Sequence, residues 1–382
     1  MKAHVLSGID RLHTVEGLLR GRRVALMTNP TGIDRRLTST IDLINSRFNL
    51  TAMFAVEHGI RGDAQAGDDI GATSVDPATG VTVYSAYGAN ERLNEEMLAA
   101  FDVLVFDMQD VGARFYTYLY SLSYAMEACA SAGKSVVVLD RVNPIGGAKR
   151  EGPVIEEGLG SFVGNYALLT RYGLTIGEYA RYVKDYLKLD LDLTVVPLEG
   201  WERRMYLDDT DLPWVAPSPN CPDLAAALCY VGTCLFEGTN VSEGRGTTQP
   251  FQLIGAPFLS AETLEREMNA LRLPGLHFRR AYFRPTFSKH AGTLCQGVQM
   301  HILDREVAEP FAGGLMLLDT IRRLSPELEF IYWTPNSRPA LDKLLGTARY
   351  REGTISAQAL IEESRAGARA FSERVKPFEL YR

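Results

Sequence analysis

Short apolar runs alternate with amphipathic segments through the first 200 residues, and this rhythm restricts the chain more than any other feature. The runs are 23–28 (RVALMT), 50–56 (LTAMFAV), 81–84 (VTVY), 102–107 (DVLVFD), 134–140 (KSVVVLD) and 192–198 (DLTVVPL). Helical patterns lie between them, near 38–46, 91–100, 115–132 and 175–188. Continuous Val, Leu and Ile runs of strand length must be covered on both faces, and the intervening helices supply the cover. The expected fold is α/β: a Rossmann-like doubly wound parallel sheet of about six strands with a second, smaller α+β domain.

The second half changes character. Pro213, Pro217, Pro219 and Pro222 cluster together, and a glycine-rich stretch follows from Gly238 to Gly246. A helix at 261–271, strands near 276–283 and 296–303, a helix at 310–324 and a mostly helical tail over 339–378 complete the pattern. At 382 residues the chain exceeds one ordinary core. We therefore divide it into a Rossmann-like catalytic domain over 1–230 and a smaller domain over 231–382.

Composition and motifs narrow the function classes. The net charge is −7 and no basic stripe is visible, which argues against a nucleic-acid partner. Cys129, Cys221, Cys229, Cys234 and Cys295 are odd in number and form no CxxC pair, so neither a disulfide framework nor a metal site is expected. No segment has the length and apolarity of a membrane span, and the N-terminal residues do not read as a signal peptide, so a cytoplasmic protein is expected. The first strand runs into Thr28-Asn29-Pro30-Thr31-Gly32, not GxGxxG, and neither GxSxG nor HExxH occurs. No cofactor is expected, and the remaining chemistry is that of carboxylates.

Ligands of open parallel sheets bind beyond the carboxyl ends of the strands. Those ends carry Asn29; Glu57, His58 and Arg61; Gln109, Asp110 and Arg114; and Asp140, Arg141 and Asn143. Glu57 reads either as an acid at the end of an apolar strand or as a carboxylate paired with Arg61. Asp110 reads as a loop former or as a second carboxylate. A second cluster, Glu237-Gly238-Thr239-Asn240-Val241-Ser242-Glu243-Gly244-Arg245-Gly246-Thr247, suits a sugar pocket or, more simply, a surface loop with a Glu243–Arg245 salt bridge. Arg114, Arg141 and Arg245 are the candidate forks for a substrate carboxylate. Among the aromatics after Arg114, Tyr116 is a candidate sugar contact.

These same blocks carry a resemblance. Glu57-His58-Gly59-Ile60-Arg61-Gly62, the stretch Asp107-Met108-Gln109-Asp110-Val111-Gly112-Ala113-Arg114-Phe115-Tyr116-Thr117-Tyr118, Asp140-Arg141-Val142-Asn143-Pro144, Pro217-Ser218-Pro219-Asn220 and the Glu237–Thr247 block resemble the exo-β-N-acetylmuramidase NamZ family, in the expected order across most of the chain. Val142 and Val231 stand where prolines are expected. The resemblance implies an active site between the two domains, with Glu57 as the leading catalytic carboxylate. It implies a glycoside hydrolase that takes N-acetylmuramic acid from the non-reducing ends of peptidoglycan fragments or muropeptide-derived disaccharides, with a small carbohydrate as partner. On that reading Glu57 protonates the glycosidic oxygen with help from His58, and Asp110 or Glu243 stabilises the transition state or positions water. A route through the substrate's own acetamido group competes with it. Asn29, Arg61, Gln109, Arg114, Tyr116, Arg141, Asn143, Asn220, Asn240 and Arg245 are the expected substrate contacts. Two other readings stay open, a non-catalytic amino-sugar-binding protein and a hydrolase of another bond in cell-wall fragments.

Overall fold

The structure is a computed structural model that describes residues 2–57, 59–62, 73–88, 91–335 and 337–382. Its larger sheet holds β1 (Arg23–Thr28), β2 (Asn49–Ala55), β3 (Thr73–Val75), β4 (Thr82–Ser85), β5 (Val103–Asp107), β6 (Ser135–Leu139) and β7 (Leu193–Val196), in the order β3-β4-β2-β1-β5-β6-β7. All neighbours are parallel except the β3–β4 pair. Six of these strands coincide with the apolar runs. β3 has three exposed residues, Thr-Ser-Val, so it left no hydrophobic signal.

Side chains of the central strands alternate between two cores. Ala25, Met27, Phe54, Phe106 and Val138 enter one, while Val24, Leu26, Met53, Val105 and Val137 enter the other. Covering both faces requires helices on both sides, as a doubly wound sheet provides. The first core continues through Leu235, Leu315 and Leu341, so the second half of the chain packs directly onto the first.

A smaller antiparallel sheet of β8 (Leu253–Ala256), β9 (Leu276–Phe283) and β10 (Cys295–Ile302) has the order β8-β10-β9. The helices Ala261–Ala270 and Pro310–Leu324 accompany it. In the second half a strand and a helix escaped the sequence reading. β8 is four residues long, and the helix Leu224–Thr233 (LAAALCYVGT) is almost wholly buried from Ala226 onward, so it lacks the polar face that makes a helix periodic. This helix crosses Pro310–Leu324 at glycines: a Cβ on Gly232 would stand 2.0 Å from the Pro310 carbonyl oxygen. Any larger residue there must push the two helices apart.

All five cysteines are buried and unbonded to one another. Among the described residues no helix is long and apolar enough to cross a membrane.

The last residues return to the first half. Arg181 donates to the Phe378 carbonyl at 2.9 Å, Leu380 N to Glu178 Oε1 at 2.7 Å, and Arg203 N to the Arg382 carbonyl at 2.7 Å. The Tyr381 and Thr175 hydroxyls and the backbone N–H groups of Arg141 and Gly177 all donate to Asp140, beyond β6. Asp140 is therefore a structural junction. Burial raises its carboxyl from 3.8 to about 7, against the hydrogen bonds that lower it.

A folded-state value above the unfolded one means that the native state holds the extra proton. The stability it contributes is complete below about pH 4 and is lost as the pH climbs through about 7. Thermal melts between about pH 5 and about pH 9 should show a smaller alkaline fall in Tm for Asp140→Asn than for wild type. An identical fall would place the titration elsewhere.

Candidate active site

The sheet changes winding direction at β1, which lies between β2 and β5. A doubly wound sheet opens a crevice at that point, beyond the carboxyl ends of its strands. Glu57 sits there, two residues past β2 and half-buried. Both of its carboxyl oxygens are held: Tyr87 Oη donates to Oε1 at 2.9 Å and Thr117 Oγ1 to Oε2 at 2.6 Å. Thr117 is the N-cap residue of the helix Tyr118–Ser131, yet its hydroxyl makes no cap bond and serves Glu57 instead. The carboxyl group is thereby fixed at a helix start, where backbone N–H groups point outward.

Glu57 lines a cavity of about 120 Å³ together with Phe115, Tyr116, Thr117, Val163, Ser218, Cys221, Tyr230, Glu237, Arg245 and Phe251. Phe115, Tyr116, Tyr230 and Phe251 form its aromatic lining, with Tyr230 and Phe251 edge to face at 4.6 Å. The Tyr116 hydroxyl is buried near Tyr118, Cys221, Ser218 and Glu57, and burial pushes it well above the ordinary tyrosine range.

A charged chain forms another side. Arg245 Nη2 meets Glu237 Oε1 at 2.6 Å, Arg245 Nε meets Glu243 Oε1 at 3.4 Å, and Lys289 Nζ meets Glu243 Oε2 at 2.8 Å. Burial opposes the charge on Arg245, but Glu237 and Glu243 outweigh it and raise the guanidinium above its usual value. The loop is held tightly at Gly246, whose φ is +79° and whose missing Cβ leaves room for the Phe287 backbone. An apolar lining with a few fixed polar groups matches a sugar ring, which has C–H faces and a rim of hydroxyls.

The structure brings together Glu57, Tyr116 and Arg245 among the expected residues. Glu243 stands one step behind Arg245 and is buried. Asp110 is also buried. Its Oδ2 accepts from the Tyr172 hydroxyl and Gly112 N, and burial raises its carboxyl to about 6. Arg61 pairs with Asp76 at 2.7 Å, not with Glu57.

The side chains of Arg114, Arg141, Asn143, Gln109 and Asn240 hold the protein to itself. Arg114 donates to the carbonyls of Pro153, Leu168 and Leu344, tying the two halves of the chain together. Arg141 grips Asp107 through two bonds. Asn143 bonds the Leu174 carbonyl, Gln109 the carbonyls of Asp110 and Val142, and Asn240 the carbonyl of Glu327. Asn29 Oδ1 accepts from Thr31, and Asn220 N donates to Ser218 Oγ. His58 lies outside the described residues.

Tyr87 and Thr117 were not singled out from the sequence as site residues, and Glu237 was named only as part of the Glu237–Thr247 cluster. Tyr87 follows the end of β4, so the strand-end rule that found Glu57 reaches it as well.

The comparisons with known proteins agree with one another. The N-terminal model of the exo-β-N-acetylmuramidase NamZ matches residues 24–225, and its C-terminal model matches 228–381. The chain is 46% identical over 387 aligned positions to the peptidoglycan β-N-acetylmuramidase NamZ of Bacillus subtilis (strain 168), covering 100% of this chain and 92% of that one. Two crystal structures of DUF1343 family proteins from Bacteroides fragilis NCTC 9343 superpose with TM-scores of 0.89 and 0.79, at 35% and 29% identity, and each covers 99% of both chains. With both family models in sequence order and Glu57 on the wall of the cavity they enclose, the chain belongs to the exo-β-N-acetylmuramidase NamZ family.

Proposed function

We propose that the chain is an exo-acting glycosidase that releases N-acetylmuramic acid from the non-reducing end of peptidoglycan fragments or muropeptide-derived disaccharides. The observation that carries this reading is Glu57, fixed by two hydroxyls on the wall of a cavity that also holds a second carboxylate and a guanidinium. The family relationship supports the same chemistry. We place the division between the domains at residues 230 and 231, inside the helix Leu224–Thr233.

Glycoside hydrolysis needs a proton for the departing oxygen and negative charge near the sugar carbon that becomes cationic. Glu57 supplies the proton, oriented by Tyr87 and Thr117. Glu237 takes the second role in preference to Asp110 or Glu243, because it lines the cavity and they stand behind its wall. Arg245 is the guanidinium offered to the lactyl carboxylate that distinguishes muramic acid from glucosamine, since a guanidinium binds carboxylates as a fork. Arg61, Arg114 and Arg141 do not line this cavity.

The test is hydrolysis of a chromogenic β-N-acetylmuramide beside the matching β-N-acetylglucosaminide. Turnover of the muramide alone is expected. Equal turnover of both would remove Arg245 as the reader of the lactyl group, and none on either would remove the glycosidase reading.

A further inference from the structure

A cavity of about 120 Å³ is small beside the roughly 300–1,000 Å³ of typical small-molecule sites. A glycan chain is larger than this, so most of it lies on the surface outside the cavity. One neighbouring segment is suited to hold that remainder. Residues 329–331 run antiparallel to the loop that carries Glu237: Thr239 bridges Phe330, Asn240 N donates to the Glu329 carbonyl at 3.0 Å, and Ile331 N donates to the Gly238 carbonyl at 3.0 Å. Glu237 itself lies in the 3-10 turn Cys234–Gly238, so Tyr332 follows directly on a segment bonded to the loop that leaves Glu237. Ala340 N then bonds the Ile331 carbonyl at 2.9 Å, which closes the segment into an anchored loop.

On this anchored backbone two consecutive aromatic rings face solvent. Tyr332 is 58% exposed and Trp333 is 39% exposed, whereas Trp201 is 4% exposed. The Lys343 ammonium lies 5.6 Å from the centre of the Trp333 ring and helps to hold it. A single exposed aromatic is ordinary on a protein surface. Two consecutive exposed rings that follow a segment hydrogen-bonded to the loop of the reacting site are less ordinary. Aromatic rings give large contact area for little conformational entropy, and their faces suit the C–H faces of a pyranose.

We propose that Tyr332 and Trp333 are the stacking platform for the leaving-group side of the substrate, the uncharged N-acetylglucosamine and the sugars that follow it. The inference rests on the glycosidase reading above. It makes the segment a determinant of chain-length preference, separate from the chemistry at Glu57. A contact made equally in the ground and transition states changes KM and leaves kcat alone.

The experiment compares wild type, the Tyr332→Ala/Trp333→Ala double variant and Tyr282→Ala on two substrates. These are the chromogenic β-N-acetylmuramide, which has no sugar in the leaving group, and peptide-free peptidoglycan glycan strands. Tyr282, 51% exposed on β9 and bonded to Glu262, is the control for loss of a surface aromatic. The double variant should lose about 10- to 100-fold in kcat/KM on strands, through KM, and keep wild-type activity on the chromogenic substrate. Tyr282→Ala should match wild type on both. An equal loss on both substrates, no loss on either, or the same loss in Tyr282→Ala would overturn the platform.

A binding measurement separates this from failure of the glycosidase reading itself, which would show as an inactive wild type. In the Glu57→Gln background the same strands should change tryptophan emission, and they should not when Trp333→Ala is added. Emission changes that survive Trp333→Ala would overturn the platform whatever the activity.

Discussion

Replacing Glu57 with Gln should lower kcat about 1,000-fold on a substrate whose leaving group is a sugar, within the range that general acid catalysis contributes. The amide keeps the size and shape of the carboxyl, so the chain should fold and bind as before. Its Oε1 still accepts from one hydroxyl, and either Tyr87 or Thr117 must turn to accept from the new Nε2. What disappears is the transferable proton.

The loss should depend on the leaving group. A nitrophenolate departs with little help, so the variant should retain much more of its rate on the chromogenic muramide than on the disaccharide. Steady-state kinetics on both substrates, with a thermal melt to confirm the fold, checks this. Equal losses on the two would move Glu57 to the other side of the bond, as nucleophile or charge stabiliser. A loss below about tenfold on the disaccharide would take it out of the reaction.

The second large effect is on stability. Arg141→Met should lower the unfolding free energy by about 3–5 kcal/mol, the usual consequence of stranding one member of a buried ion pair. Asp107 is fully buried at the end of β5, and Arg141 reaches it with Nε to Oδ1 at 2.6 Å and Nη2 to Oδ2 at 2.8 Å. The same Nη2 also bonds the Ile33 carbonyl at 2.9 Å. Without the guanidinium, Asp107 keeps only the Thr40 hydroxyl among the described side chains. Adding Asp107→Asn should recover part of the loss, because the uncompensated charge is then gone. Chemical denaturation of the single and double variants measures both. A single variant of unchanged stability that fails on the muramide would instead make Arg141 a substrate contact.

This second case shows where a sequence becomes hard to read. The parallel strands were legible because a strand buried on both faces must be apolar throughout, and such runs are visible without partners. Glu57 was legible because a carboxylate at the end of such a run has few ordinary reasons to be there. Arg114, Arg141 and Asn143 occupy similar strand ends and looked alike from that position.

What separates them from Glu57 is the identity of their partners. For Arg114 these are carbonyls 39, 54 and 230 residues away. Backbone carbonyls carry no residue-specific signature, so a buried arginine serving them cannot be told from one that awaits a ligand. Glu237 was obscured differently. It lies in a polar, glycine-rich loop, and its exposure to the cavity depends on Arg245 and on the segment that runs beside it.

The return of the chain end to Asp140, Glu178 and Arg203 has a mechanical consequence. The polypeptide passes between the two halves once through the helix Leu224–Thr233 and again where Phe378 and the residues after it settle on the first half. The halves also share one core and are tied by Arg114 to the Leu344 carbonyl and by Arg305 to Asp208 and Asp209. The last residues therefore act as a clasp added to a seam that is already closed, and full separation of the halves must pull Tyr381 from its pocket as well as break those bonds.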